Sequence, residues 1–315
     1  MNTNLTTGGF YLDTSGYLNS PVNNNGAQRR KDLFTNNGWV ELSGRLFTDI
    51  TMQDKPLLPG VSMGIKFIMS KPEFHLQTYA APTGDKTTAT QGTPEYEYRT
   101  FLRNPCLYLK RYIPTPDYLT AITQMLGTKT AKYHIERTLM RVHDITKSTQ
   151  STVVANLHIG QIPKVMFIGF VSNASFHGSQ DKNPFNFENF SITAIAVEVD
   201  GQSYPAKPYQ PDFVNGRSLE CYNGLMDTLG RKNSSYGHMP FSRIGYQQGF
   251  TIFGFDLTPE HTGRGAMTLI RQGNLAVRVA FAKPLSDTVM MCTMLVMDNL
   301  VEFNQHRNLI ADFTS

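Results

Sequence analysis

The sequence predicts an all-β protein built as an antiparallel β-sandwich. Two apolar runs of strand length and β-branched content, Val165–Val171 and Ile192–Val199, follow one another. Asp200-Gly201 comes directly after the second run and suits a type I′ hairpin, whose two central residues take positive φ. Strand-like runs outnumber helical ones along the chain. Only two segments carry paired helix-start and helix-stop signals, which argues against an α/β arrangement.

The elements follow in order. Residues 1–38 are polar and rich in turn dipeptides and read as a loop with weak strand content. Trp39–Leu46 alternates and predicts a strand. Gly60–Met69 alternates too, with Val61, Met63, Ile65, Phe67 and Met69 on one face. Ala80–Pro94 is a Thr-rich loop. Tyr96–Tyr112 is a further strand region with a break at Asn104-Pro105. Thr115-Pro116-Asp117 opens a short helix with a capping residue, a first-position proline and a first-turn acid. Gly127 ends it, and Tyr118, Ile122 and Met125 share a face. Tyr133–Val142 begins a second β unit.

Between the two central strands lies a loop containing Phe185, Phe187 and Phe190. Beside Pro184 these rings read as anchors that fix the loop to the sandwich, each worth about 2 kcal/mol of apolar burial. The rival reading is a stacking platform for bases or sugars. Pro205, Pro208 and Pro211 then hold the chain extended. Ser218–Gly230 predicts an inserted helix with Leu219, Tyr222, Leu225, Met226 and Leu229 as its apolar stripe. Residues 231–249 read as a polar loop. Three strands close the chain: Phe250–Leu257, Leu275–Ala282 and Thr288–Val296. The middle one alternates around an outward Arg278, and the last is apolar on both faces.

Composition narrows the function. A chain of 315 residues with 40% hydrophobic and 11% aromatic content can bury one large core or two ordinary ones. A net charge of +4 permits contact with nucleic acid without arguing for it. The one basic cluster, Arg29-Arg30-Lys31, is a candidate DNA contact; its plainer reading is a solvated patch. Cys106, Cys221 and Cys292 are odd in number and widely spaced. They read as reduced core cysteines of a protein folded in cytosol or nucleus. No signal peptide or membrane span is expected, so the sequons at Asn4, Asn173, Asn189 and Asn233 read as chance.

Catalytic patterns are weak. His134-Ile135-Glu136 has the spacing of a jelly-roll metal pair, with His177, His238 or His261 as third ligand. A solvent-facing strand is the plainer explanation. His143-Asp144 and His177 with Asp181 are poor acid–base pairs. Gly263-Arg264-Gly265 lacks the lysine of a phosphate loop. The reading is therefore a non-enzyme with no catalytic, metal or cofactor site.

Scattered blocks carry a resemblance over nearly the whole chain. They are Gly44–Asp49 with Gln53, Ala131–Arg137, Gly160-Gln161-Ile162-Pro163, Gly169-Phe170-Val171, Asn173, Phe176, Gly178, Asn183–Phe187, Phe250–Pro259 and Asp298–Phe313. In their order they resemble the major capsid proteins of Polinton (Maverick) elements and adintoviruses. The resemblance implies a double jelly-roll subunit that forms homotrimers, meets neighbouring capsomers and other capsid proteins, and encloses packaged DNA in a virion assembled in host cytosol or nucleus. A genomic copy without a virion role is an alternative, as is a carbohydrate-binding or metal-dependent jelly-roll enzyme.

In that family the Gly44–Gln53 block falls late in the first jelly roll. An eight-stranded sandwich needs well over about a hundred residues, and residues 1–115 have room for about four or five strands. The expected organisation is a partial first jelly roll at 1–115, a linker helix at 116–127 and a complete second jelly roll at 128–315. The early strands of the first would come from another polypeptide or be missing from a truncated or split copy.

Overall fold

The computed structural model describes residues 3–20, 22–34, 38–77, 100–232, 239–258 and 269–311. Its centre is a two-sheet sandwich of β1 (Ala131–Ile145), β2 (Ser151–Gln161), β3 (Val165–Ser172), β4 (Ile192–Val199), β5 (Gln202–Tyr209), β6 (Ile252–Asp256), β7 (Gln272–Phe281) and β8 (Val289–Phe303). One sheet runs β1-β8-β3-β6, with a short β9 (Leu309–Ala311) added to β8; the other runs β2-β7-β4-β5. Every pairing between these strands is antiparallel. From β1 to β8, successive strands cross between sheets except at the β4–β5 hairpin. That order is an eight-stranded jelly roll.

Burial explains the strands. In β3 every residue but Ser172 is buried, and the strand lies inside its sheet between β8 and β6. Met166, Ile168 and Phe170 meet Leu295 and Met291 of β8, Ile195 and Val197 of β4, and Leu275, Val277 and Val279 of β7 in one core. β7 buries Leu275, Val277, Val279 and Phe281 and exposes Arg278, as its alternation predicts. The hairpin turn has positive φ at Asp200 and Gly201. β5 lies at the edge of its sheet, where Pro205 and Pro208 leave no donor unpaired in a ladder.

Both expected helices form. α4 (Pro116–Leu126) has proline in its first turn. It buries only Leu126, while Tyr118 and Met125 of the expected apolar face are exposed. α6 (Leu219–Thr228) is inserted between β5 and β6 and closes on β6 at Gly254. A Cβ there would meet Thr228 Oγ1 at 2.8 Å and Leu225 Cα at 3.0 Å.

The N-terminal third differs from expectation. Among the described residues of 1–115 no strand forms. Its regular elements are α1 (Thr3–Thr6), α2 (Asn25–Leu33), a single 3₁₀ turn at Asp49–Thr51 and α3 (Pro72–His75). Trp39–Leu46, Gly60–Met69 and residues 100–112 run without ladder partners. Alternation shows that a segment can lie in a sheet, but a strand also needs a neighbour to bond. The predicted Ala80–Pro94 loop and residues 96–99 lie outside the described residues.

Further differences are local. Residues 1–38, read as loop, contain α2, whose first turn is capped by Asn24 Oδ1 accepting from Gly26 N and Ala27 N. The stretch 173–191 includes α5 (Asn173–His177), and 231–249 includes α7 (Arg243–Gln247) with the fully buried Tyr246. β8 continues beyond Val296 to Phe303, and β2 forms where no strand is expected.

Several contacts among the described residues fasten the N-terminal third to the sandwich, among them Gly16 N donating to Gln248 O at 2.9 Å. Asn183 Nδ2 donates to Asp13 Oδ2 at 2.7 Å, and Asn183 N donates to Asn19 Oδ1 at 2.8 Å. Along β1, Tyr133 Oη donates to Pro56 O at 3.1 Å, and Leu57, Leu58 and Val61 pack on Tyr133, Val301 and Phe303.

Candidate functional site

The most unusual surface lies on residues 62–70 and 101–113. Among the described residues their main chains join no backbone–backbone hydrogen bond. Their large apolar side chains face outward: Phe67 and Ile68 in the first, Phe101, Tyr108 and Ile113 in the second, with Tyr108 91% and Ile113 87% exposed. An extended chain that joins no ladder and carries outward apolar groups is suited to pairing with further strands.

The expected anchor rings behave differently from one another. Phe187 lies over Gly169 of β3, its N–H donating to Gly249 O at 2.9 Å. Phe190 packs against the core from a left-handed backbone. Phe185 is exposed and meets Phe74 of α3 edge-on at 6.1 Å, so it contacts the N-terminal third rather than the sandwich core.

The basic triplet lies on α2. Arg30 is tied into the fold: it pairs with Asp13 at 2.5 Å and donates to Tyr11 O at 2.7 Å. Arg29 and Lys31 are exposed. The three residues therefore do not form one uniform cationic patch.

The metal pair is not assembled. His134 is exposed, and Glu136 pairs instead with Lys164 Nζ at 2.7 Å. His177 is exposed on α5 with its ring edge-on to Phe176. His238, His261 and Gly263-Arg264-Gly265 lie outside the described residues. Among the described residues no group of three or more His, Cys, Asp or Glu is placed to hold a metal.

Where residues 16–20, 186–191 and 247–249 meet, an open groove of about 670 Å³ is lined by Tyr17, Asn186, Glu188, Asn189, Gln247 and Gln248 among others. Burial raises the pKa of Glu188, which Lys182 partly offsets. Asn186 Nδ2 donates to Glu188 Oε1 at 3.1 Å, and Asn189 Nδ2 donates to Gln247 O at 2.9 Å. Phe190 and Ser191 beside the groove both hold left-handed backbone. Sequence reasoning missed this groove, because three distant segments build it.

The cysteines are free. Cys221 is buried and its thiol is pushed up to about 12 by burial; Cys292 is partly buried; Cys106 is exposed, contrary to the core position expected.

The strand order defines the chain as a jelly-roll protein. No family model matches it. An uncharacterized protein of Caenorhabditis elegans, F54H12.2, is 32% identical over 159 residues, which is 50% of this chain and 38% of that protein. Among solved structures the chain is similar to PBCV-1 VP54 fitted into a reconstruction of the virophage Sputnik. That match has 9% identity over 64% of this chain and 55% of that one, with a TM-score of 0.37. The mavirus major capsid protein matches at 11% identity over 59% of this chain and 42% of that one, with a TM-score of 0.34. At such scores the fold assignment rests on the strand order.

Proposed function

We propose that this chain is a structural subunit of a capsid-type shell, resembling the Polinton and adintovirus major capsid proteins. The observation that carries the proposal is the pairing of a complete jelly roll with the outward apolar stretches 62–70 and 101–113, which join no ladder. Such surface is costly in water and is relieved by burial between subunits. In this reading residues 1–115 contribute strands to a second sandwich completed by another polypeptide segment. Helix 116–127 links it to the jelly roll at 128–315. Subunits close as homotrimers, the trimers tile a virion shell, and Arg29 and Lys31 face packaged DNA.

Sedimentation velocity and electron microscopy of the purified full chain test this. Trimers, or larger closed particles, are expected at micromolar concentration. A chain that remains monomeric there, with 62–70 and 101–113 still exposed, counts against it.

The polar groove favours a second reading, a jelly roll that binds a small neutral saccharide. Saturating titration by saccharides of a chain that never self-associates would favour that reading over assembly.

A further inference from the structure

Lys164 stands at the corner between β2 and β3, with its side chain only 4% exposed. Its ammonium lies 2.7 Å from Glu136 Oε1 and 2.7 Å from Asp298 Oδ1. Glu136 and Asp298 are direct partners in the β1–β8 ladder, so two carboxylates converge on one buried amine. The backbones around the cluster are fixed. Lys164 N–H donates to Val296 O at 2.9 Å, and Leu257 N–H donates to Lys164 O at 2.9 Å. Gln161 Nε2 donates to Asp298 O at 2.8 Å.

We infer that Lys164 and Asp298 join in an intramolecular isopeptide bond, with Glu136 carrying the proton. The two carboxylates are not equivalent. The Asp298 side chain is 15% exposed and the Glu136 side chain 32%, so the inner one is the acceptor and the outer one exchanges protons. Glu136 takes a proton from the Lys164 ammonium, leaving a neutral amine against Asp298 Cγ. The nitrogen attacks Cγ, and the C–N bond forms. Glu136 returns its proton to the departing carboxylate oxygen, a second nitrogen proton follows, and the Cγ–O bond breaks. One ammonium and one carboxylate become one amide and one water, with no oxidant, reductant or activating group. Glu136 ends as it began.

Two physical terms favour this chemistry here and not in solution. Fixed contact between amine and carboxyl replaces a bimolecular encounter, an advantage of up to about 10⁵–10⁸ M in effective concentration. Burying an ion pair also carries a desolvation penalty that a neutral amide escapes. The bond would tie the β2–β3 corner to β8, the strand that β1 and β3 flank.

The test is the intact mass of the denatured full chain, followed by peptide mapping. The expected mass is one water below that of the sequence, with a single cross-linked peptide pair joining Lys164 to Asp298. K164R and D298A should keep the full mass. E136Q, checked for native fold by circular dichroism, should keep it as well. Wild-type protein at full mass overturns the inference. So does a water loss that maps elsewhere, a cross-link to Glu136, or an E136Q chain that reacts as the wild type does.

Discussion

The Phe187 ring rests on Gly169: a Cβ built on that glycine would fall 2.5 Å from Phe187 Cδ1 and 2.8 Å from Cε1. The glycine is what lets the 179–191 loop close onto β3. Gly169→Ala should therefore destabilise the chain by about 1–3 kcal/mol through overpacking. Phe187→Ala should cost about 2 kcal/mol of lost burial. Because the two groups touch, the double variant should be less destabilised than the sum of the singles. Urea midpoints measure all three, and a Gly169→Ala midpoint equal to wild type would show that the loop does not sit there.

His158 makes stability pH-dependent. It is 8% exposed, and its Nε2 meets Gln161 O at 3.0 Å. Burial lowers its pKa below 6.5, against the Gln161 contact and with help from Arg141. The unfolded chain therefore takes up a proton that the folded chain resists. The stabilisation is complete above 6.5 and is lost as pH falls through the folded value. Glu188 acts in the opposite sense: its raised pKa gives stability below 4.5 that fades as pH rises through the folded value. Thermal melts just below pH 6.5 should fall in wild type and fall less in His158→Gln. Parallel curves for the two proteins would refute the assignment.

Residues 62–70 and 101–113 should exchange amide hydrogens faster than the sandwich strands, because no backbone bond to another described residue protects them. Trypsin should cut at Lys66, Arg103 and Lys110 well before Lys164 or Arg278. Protection of both stretches in an assembled particle, and its loss on dissociation, would connect them to the subunit contact. Equal resistance of both halves in the monomer would contradict the exposed arrangement.

The thiols should separate by reactivity. In the native chain Cys106 should react first with a maleimide, and Cys292 later, since burial raises its pKa. Cys221, buried with its thiol pushed up to about 12, should react only on unfolding. Prompt labelling of Cys221 would mean that α6 does not stay closed on the sandwich.

Legibility in the sequence tracked how local each signal was. The β3 run, the β7 alternation and the Asp200-Gly201 turn encode their own geometry within a few residues, and each forms as read. The α2 helix was masked by the run Asn23–Gly26, whose turn character hid Asn24 as a cap. β2 was masked by Asn156, a positive-φ residue at the register shift between Val154 and His158. Of the candidate sites, Phe187 and Phe190 were legible as large rings in a loop. The Lys164 cluster was not, because Glu136, Lys164 and Asp298 are far apart in the chain.

By itself the sequence determined an all-β chain with a linker helix at 116–127, an inserted helix at Ser218–Gly230, a central hairpin, and strands able to share a core. These follow from side-chain period, capping and turn chemistry, which act over a few residues. Only the tertiary structure decided which alternating segments became strands. β1 to β8 found ladder partners and formed a jelly roll, while Gly60–Met69, with equal alternation, stayed unpaired. The tertiary fold also placed Lys164 between two carboxylates and Arg30 against Asp13. The physical reason is that a hydrogen-bond ladder and a buried ion cluster both need residues distant in sequence, and no local pattern records where those partners lie.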